Sequence, residues 1–246
     1  SVTTASLQGG SGLNCGVQGA LVDSRTGLAL SAWRVRNGVR SPAARLRVTV
    51  TLSHDGGDDG GHNHAAGRPI GSFLADRADT SHEVTTGSDG TANLTFFAPV
   101  AAGFVRVQAT ANGVTTRDSI RVALSDLVEL PSGSSDYSRV GATLAHDASF
   151  YGRPALIAAL IDAARLFKLE NRVSLGINDM SLAEGGVFDL SLDWRKPHCG
   201  HRVGVSADIR TNTLTPEQRR SILAIWANLG GSVLQEGNHY HFTVTR

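Results

Sequence analysis

GHRVGVSAD at 200–208 and NHYHF at 238–242 place three of the chain's nine histidines, with one aspartate, in two short pieces near the end of 246 residues. In an extended strand, side chains at i and i+2 share a face. His239 and His241 therefore point the same way, with Tyr240 and Phe242 on the other face. Two imidazoles held side by side suit two metal bonds, or one metal bond and one proton shuttle. His201 and Asp208 are seven residues apart, and an odd separation on one flat strand sends them to opposite faces. They converge only if the chain bends between them, and Gly204 offers the bend. This predicts His201 on a loop or short strand before Gly204 and Asp208 on the strand after it. One carboxylate with two imidazoles is a zinc-binding set that leaves a fourth position for water.

Working outward, the C-terminal part mixes helices and strands. Pro154 to Leu169 reads as a helix, with Pro154 at its first position. Leu156, Ile157, Leu160, Ile161, Ala164 and Phe167 form its apolar stripe. A second helix starts at the capping box Thr215-Pro216-Glu217-Gln218 and stops at Gly230-Gly231. Strands are expected at 172–178, 187–194, around 205–210, and at 232–236 and 239–245. The reading is α+β with an antiparallel sheet over 153–246. Residues 126–152, including PSGSSDYS, read as a linker and the loop leading into the helix.

The first 125 residues have a different grammar. ARLRVTVTL (44–52) alternates, with Leu46, Val48, Val50 and Leu52 on one face. GFVRVQATANG (103–113) and VTTRDSIRVAL (114–124) are strands joined at Asn112-Gly113, a strong hairpin dipeptide. Short strands at roughly ten-residue spacing imply a β-sandwich. The run TTGSDGTANLTFFAPVAAGFVRVQATANG resembles bacterial immunoglobulin-like modules, a likeness that carries fold and not chemistry.

HRVGVSAD followed by HYH resembles the zinc peptidase superfamily of lysostaphin-type endopeptidases, D-alanyl-D-alanine carboxypeptidases, penicillin-insensitive murein endopeptidases and the hedgehog signalling domain. The resemblance covers about residues 140–246. It implies one Zn²⁺ per chain held by His201, Asp208 and His241, with His239 as general base. The implied substrates are peptidoglycan peptides, and the implied location is extracytoplasmic. A competing register takes Glu236 as the base and His239 as the ligand. Runner-up readings are a zinc-stabilised binding or signalling module without turnover, and a wall-binding surface adhesin.

Other residues are candidates beside these. His198 could steady an oxyanion, and Arg153 or Arg202 could hold a substrate carboxylate. Trp194 reads as core or cleft lining, and Asn178 and Asp179 as a turn. The loop HDGGDDGGHNHAAGRP (54–69) holds His54, His62 and His64 and could bind a second metal. Its simpler reading is a long hairpin loop. Cys15 and Cys199 permit one disulfide without demanding it. A net charge of +1 gives no electrostatic case for nucleic acid or an anionic membrane. No apolar run of about 18 residues predicts a transmembrane span. The start at Ser1 is expected to be processed or trimmed. Oligomeric state is left open.

Overall fold

Alternation decides the first half of the chain. The computed structural model describes residues 25–54, 62, 66–75, 78–124, 126–141, 149–187, 189, 192, 194 and 199–244. The pairing of Cys15 with Cys199 lies outside the described residues. The chain divides into two compact units. One is Ser1–Asp59 with Gly67–Ala123, and the other is Gly60–Ala66 with Leu124–Arg246.

The first unit is all β. Its strands are β1 (Arg25–Ser31), β2 (Trp33–Arg36), β3 (Val39–Pro42), β4 (Arg47–His54), β5 (Ser81–Thr85), β6 (Thr91–Phe97), β7 (Gly103–Ala111) and β8 (Val114–Val122). They form a four-stranded sheet β5-β4-β7-β8, a two-stranded sheet β1-β6 and the separate hairpin β2-β3. The two sheets share one core. Val48, Val50 and Leu52 of β4 pack in it with Leu28 and Leu30 of β1 and Phe96 of β6. Asn112 and Gly113 have φ of 48° and 75°, the twist that closes the β7-β8 hairpin.

The second unit is α+β. It contains β9 (Val128–Glu129), β10 (Tyr137–Arg139), β11 (Tyr151–Gly152), α1 (Pro154–Asn171), β12 (Leu175–Ile177), α2 (Cys199–Arg202), β13 (Ser206–Arg210), α3 (Pro216–Asn228), β14 (Gly231–Glu236) and β15 (His239–Val244). Its main sheet has the order β10-β12-β13-β15-β14. All its pairs are antiparallel except β10-β12, which is parallel. The stretch read as linker and loop is part of this unit. It supplies β9, β10 and β11 and buries Leu130, Tyr137 and Phe150 in the core.

Period 2 on β13 and β15 assigns one face of the sheet to the helices. Ala207, Ile209, Tyr240 and Phe242 join Leu156, Leu160 and Phe167 of α1 and Ile222 and Trp226 of α3 in one cluster. The Trp226 and Phe242 rings stack with centroids 4.5 Å apart. Thr215 caps α3 as expected. Its Oγ1 accepts from Gln218 N at 3.3 Å, and Gln218 Oε1 accepts from Thr215 N at 2.9 Å. Helix α1 carries Ala163 in its buried stripe, where Ile161 was expected; Ile161 is half-buried.

One expected strand, at 187–194, is not present among its described residues. Within 187–194, Asp189, Leu192 and Trp194 have φ of 49°, 56° and 55°. Left-handed backbone at three positions cannot sustain strand pleating. The Asp189 carboxylate instead accepts from Trp194 N at 2.6 Å, closing a turn.

Phe242 is fully buried between the helices and the sheet. Phe242→Ala should lower the stability of the second unit by about 3–5 kcal/mol. Urea denaturation followed by tryptophan fluorescence checks this, because the stacked Trp226 reports on the same core.

Candidate metal centre

The face of the sheet turned away from the helices carries the polar residues. In the β13-β15 register Asp208 lies opposite His241 and Arg210 opposite His239. Side chains directly opposite in an antiparallel pair have Cβ atoms about 4.5–5.5 Å apart, so register alone makes Asp208 and His241 neighbours. In β14, Glu236 is paired with His239.

His201 arrives from the short helical turn α2, not from a strand. The chain then reverses at Gly204, whose φ is +71°. A Cβ there would lie 2.3 Å from Leu127 Cδ2, so both backbone and space require glycine. A Cβ on Gly200 would lie 1.9 Å from Ser206 Oγ, so that glycine lets α2 rest on β13. Every carbonyl from Gly200 to Gly204 has a donor. Gly200 O accepts from Val205 N at 3.0 Å and His201 O from Gly204 N at 3.1 Å. Arg202 O accepts from Gly186 N at 2.9 Å. Arg153 supplies the last two: its Nε donates to Val203 O at 3.0 Å and its backbone N to Gly204 O at 2.7 Å. The Arg153 guanidinium also ion-pairs with Asp126. Arg153, one of the two arginines that could hold a substrate carboxylate, clamps the turn that carries His201.

Three imidazoles surround the Asp208 carboxylate. His241 Nδ1 lies 2.9 Å and His201 Nε2 3.3 Å from Oδ1. His239 Nε2 lies 3.4 Å from Oδ2 and 3.0 Å from Glu236 Oε2. His239 Nδ1 donates to Asn238 Oδ1 at 2.8 Å, so Nε2 is the ring nitrogen turned toward the Asp208 and Glu236 carboxylates. His201 and Asp208 are buried at 2% and 4% exposure, while the His239 and His241 side chains keep 22% and 16%. The site thus opens on the β15 side. Burial pushes the Asp208 carboxyl up, but hydrogen bonds to His201 and His241 outweigh it and hold the group well below the usual carboxylate range.

One ligand atom from each of His201, Asp208 and His241 can be chosen so that all lie within 4.8 Å of one another. Among the described residues this is the cluster able to hold a metal ion. Ligands about 2.1 Å from a tetrahedral ion are separated by roughly 3.4 Å, close to the observed spacings. Two nitrogens and one oxygen are a donor set for zinc or a similar divalent ion.

The sequence did not mark Asp179 for this site. Asp208 N donates to Asp179 O at 2.9 Å, and Asn178 N donates to Asp208 O at 2.7 Å, so the end of β12 brackets the central aspartate. Burial, reinforced by the charge of Asp208, raises the Asp179 carboxyl above its ordinary value. No local signal shows this, because the contact is made by strand pairing some thirty residues along the chain. Arg202 is buried, and burial lowers its guanidinium from the ordinary value, so it does not present an open charge to substrate. His198 and His64 lie outside the described residues. His54 ends β4, and His62 packs its ring 4.7 Å from Trp194. Trp194 donates from Nε1 to Ala66 O at 2.7 Å and is buried, a packing role. No protein-family model matches the chain, and no curated protein matches its sequence.

If the cluster holds a divalent metal ion, Arg153→Ala should weaken its binding about 10- to 100-fold, the range seen when groups supporting a ligand are removed. Competition against a chromophoric chelator measures this. Gly204→Ala should act in the same direction, since a Cβ at φ +71° collides with Leu127.

Proposed function

We propose that the second unit is a zinc-dependent peptidase that hydrolyses peptide bonds in peptidoglycan stem or cross-link peptides. The observation that carries this is the convergence of His201, Asp208 and His241 on one point, with a fourth titratable side chain, His239, at its exposed edge. The donor set supports zinc, and the order of residues resembles the zinc peptidase superfamily with its hedgehog/D-Ala-D-Ala peptidase-like fold. The first unit would be an immunoglobulin-like module, and the whole an extracytoplasmic protein. No helix among the described residues is long and apolar enough to cross a membrane.

His201, Asp208 and His241 would hold the ion. When bound, zinc supplies a Lewis acid and lowers the pKa of water toward about 7. His239 takes the proton of the attacking water at Nε2 and passes it to the leaving amine, with its ring held by Asn238. Glu236, 3.0 Å from Nε2, would stabilise the proton once the ring has taken it up at that atom. The burial of His201 and Asp208 keeps water from one side of the site, so the substrate enters from the β15 side.

The other assignment, with His239 as ligand and Glu236 as base, fits less well, because β13 places His241 and not His239 opposite Asp208. His239→Ala separates the two. It should leave one zinc per chain bound and reduce muropeptide hydrolysis by about 10²–10⁴-fold. Loss of the metal in this variant would favour the other register. Unchanged hydrolysis would favour a zinc-stabilised module without turnover.

A further inference from the structure

The site face of the second unit holds a charged group that the metal centre leaves unused. Ser206, Asp208 and Arg210 alternate along β13, so Arg210 stands on the same face as Asp208 at the end of the strand. Register sets it directly opposite His239, and Glu236 follows on β14, so Arg210, His239 and Glu236 form one row across three strands. Asp208, His241 and Leu234 form the next row. Two residues of strand rise, roughly 6–7 Å, separate the rows. Arg210 is half-buried. Among the described residues its guanidinium makes no ion pair and no hydrogen bond. Burial raises the Asp179 carboxyl, and the charge of Arg210 acts against that rise from beyond ion-pair distance. On the β12 side stands Gly176, where a Cβ would lie 3.4 Å from Arg210 Cβ, so the glycine leaves the arginine stem room against the sheet.

The two ends of the site differ in access. On the Ser206 side α2 closes over the sheet: a Cβ on Gly200 would lie 1.9 Å from Ser206 Oγ and 3.4 Å from His241 Nε2. Ser206 is fully buried, whereas the His239 and Glu236 side chains keep 22% and 34% exposure. A peptide therefore lies over the row of Arg210, His239 and Glu236. His239 is also the group that hands a proton to the leaving amine, so the leaving half of the peptide is the half over this row. A single residue leaving here carries its carboxylate just beyond the nitrogen, across its own Cα, which brings it to the guanidinium opposite His239. A guanidinium takes a carboxylate through two parallel N–H···O bonds. An interior peptide bond would offer it an uncharged amide instead.

We infer that Arg210 binds the terminal carboxylate of a stem peptide. With the peptidase reading on which it rests, this makes the enzyme a carboxypeptidase that removes one residue at a time. In that reaction the water oxygen bonds to the carbonyl carbon of the penultimate residue, and the C–N bond to the last residue breaks. Both water protons end on the departing amine, delivered through His239 Nε2. The products are a shortened peptide with a new carboxylate and a free amino acid whose own carboxylate rests on Arg210.

The probes are an acetylated L-Lys-D-Ala-D-Ala peptide and the same peptide amidated at its C-terminus. The zinc-loaded full chain should hydrolyse the acid with a kcat/KM at least about tenfold above that of the amide. Arg210→Gln should erase this preference by raising KM for the acid, leaving its kcat, the amide rate and the zinc content within about twofold, and Arg210→Lys should restore part of it. Binding is read separately by calorimetry on the full chain carrying His239→Ala, where turnover is suppressed. There the acid should bind at least about tenfold tighter than the amide, and adding Arg210→Gln should abolish the difference. Equal binding of acid and amide, or a preference that survives Arg210→Gln, would overturn the inference, and hydrolysis of both peptides alike would then leave the peptidase reading standing. Arg210-dependent binding of the acid with neither peptide hydrolysed would uphold the carboxylate site and remove the peptidase reading instead.

Discussion

The register of β13 against β15 is the constraint on which the rest of the second unit depends. It sets Asp208 opposite His241 and, by the same alternation, Ala207 opposite Phe242. Side chains alternate with period 2, so a slip of β15 by one residue against β13 would send His241 and His239 into the helix-covered core, away from Asp208, and bring Phe242 and Tyr240 to the other face. Core and site are therefore specified by one pairing. The hydrophobic contacts of Phe242 and Trp226 hold the register, and the register builds the site on the opposite face.

A buried carboxylate is costly unless paired. Asp208 meets that cost with imidazoles facing both carboxylate oxygens. The arrangement is prepared for a cation: the same atoms that now face one another would turn their lone pairs to a metal ion. A metal ion would replace the protons that now bridge these atoms, so affinity for metal and stability of the fold are linked. The clamp of Arg153 on the His201 turn places one of the three donors at the end of a helix instead of on the sheet, and three elements converge on one carboxylate.

Much of this was legible in the sequence, and the parts that were not share a physical reason. The H-x-H alternation on the last strand, the bend at Gly204, the capping box at Thr215 and the hairpin at Asn112-Gly113 are local. Each is decided by backbone sterics or side-chain period within a few residues. The clamp made by Arg153 has no local signal, because its partners Val203 and Gly204 lie some fifty residues away. The polar composition of 126–152 suggests a linker and hides three strands of two or three residues, too short to show a period; β9 and β11 pair with each other and β10 with β12. Residues 187–194 alternate well enough to suggest a strand, yet left-handed backbone at Asp189, Leu192 and Trp194 overrides the pattern. His201 lies before the bend as its spacing from Gly204 implies, but on a helical turn and not on a loop or short strand, since four residues of helix leave almost no periodic signal.

The central claim is that Asp208 sits at a metal centre, and the most direct measurement is elemental analysis of the purified chain beside its Asp208→Ala variant, with folding of both checked by circular dichroism. The account predicts close to one zinc per native chain and none in the folded variant. A native chain that takes up no divalent metal even after incubation with zinc, or a variant that binds it as tightly, would contradict the account.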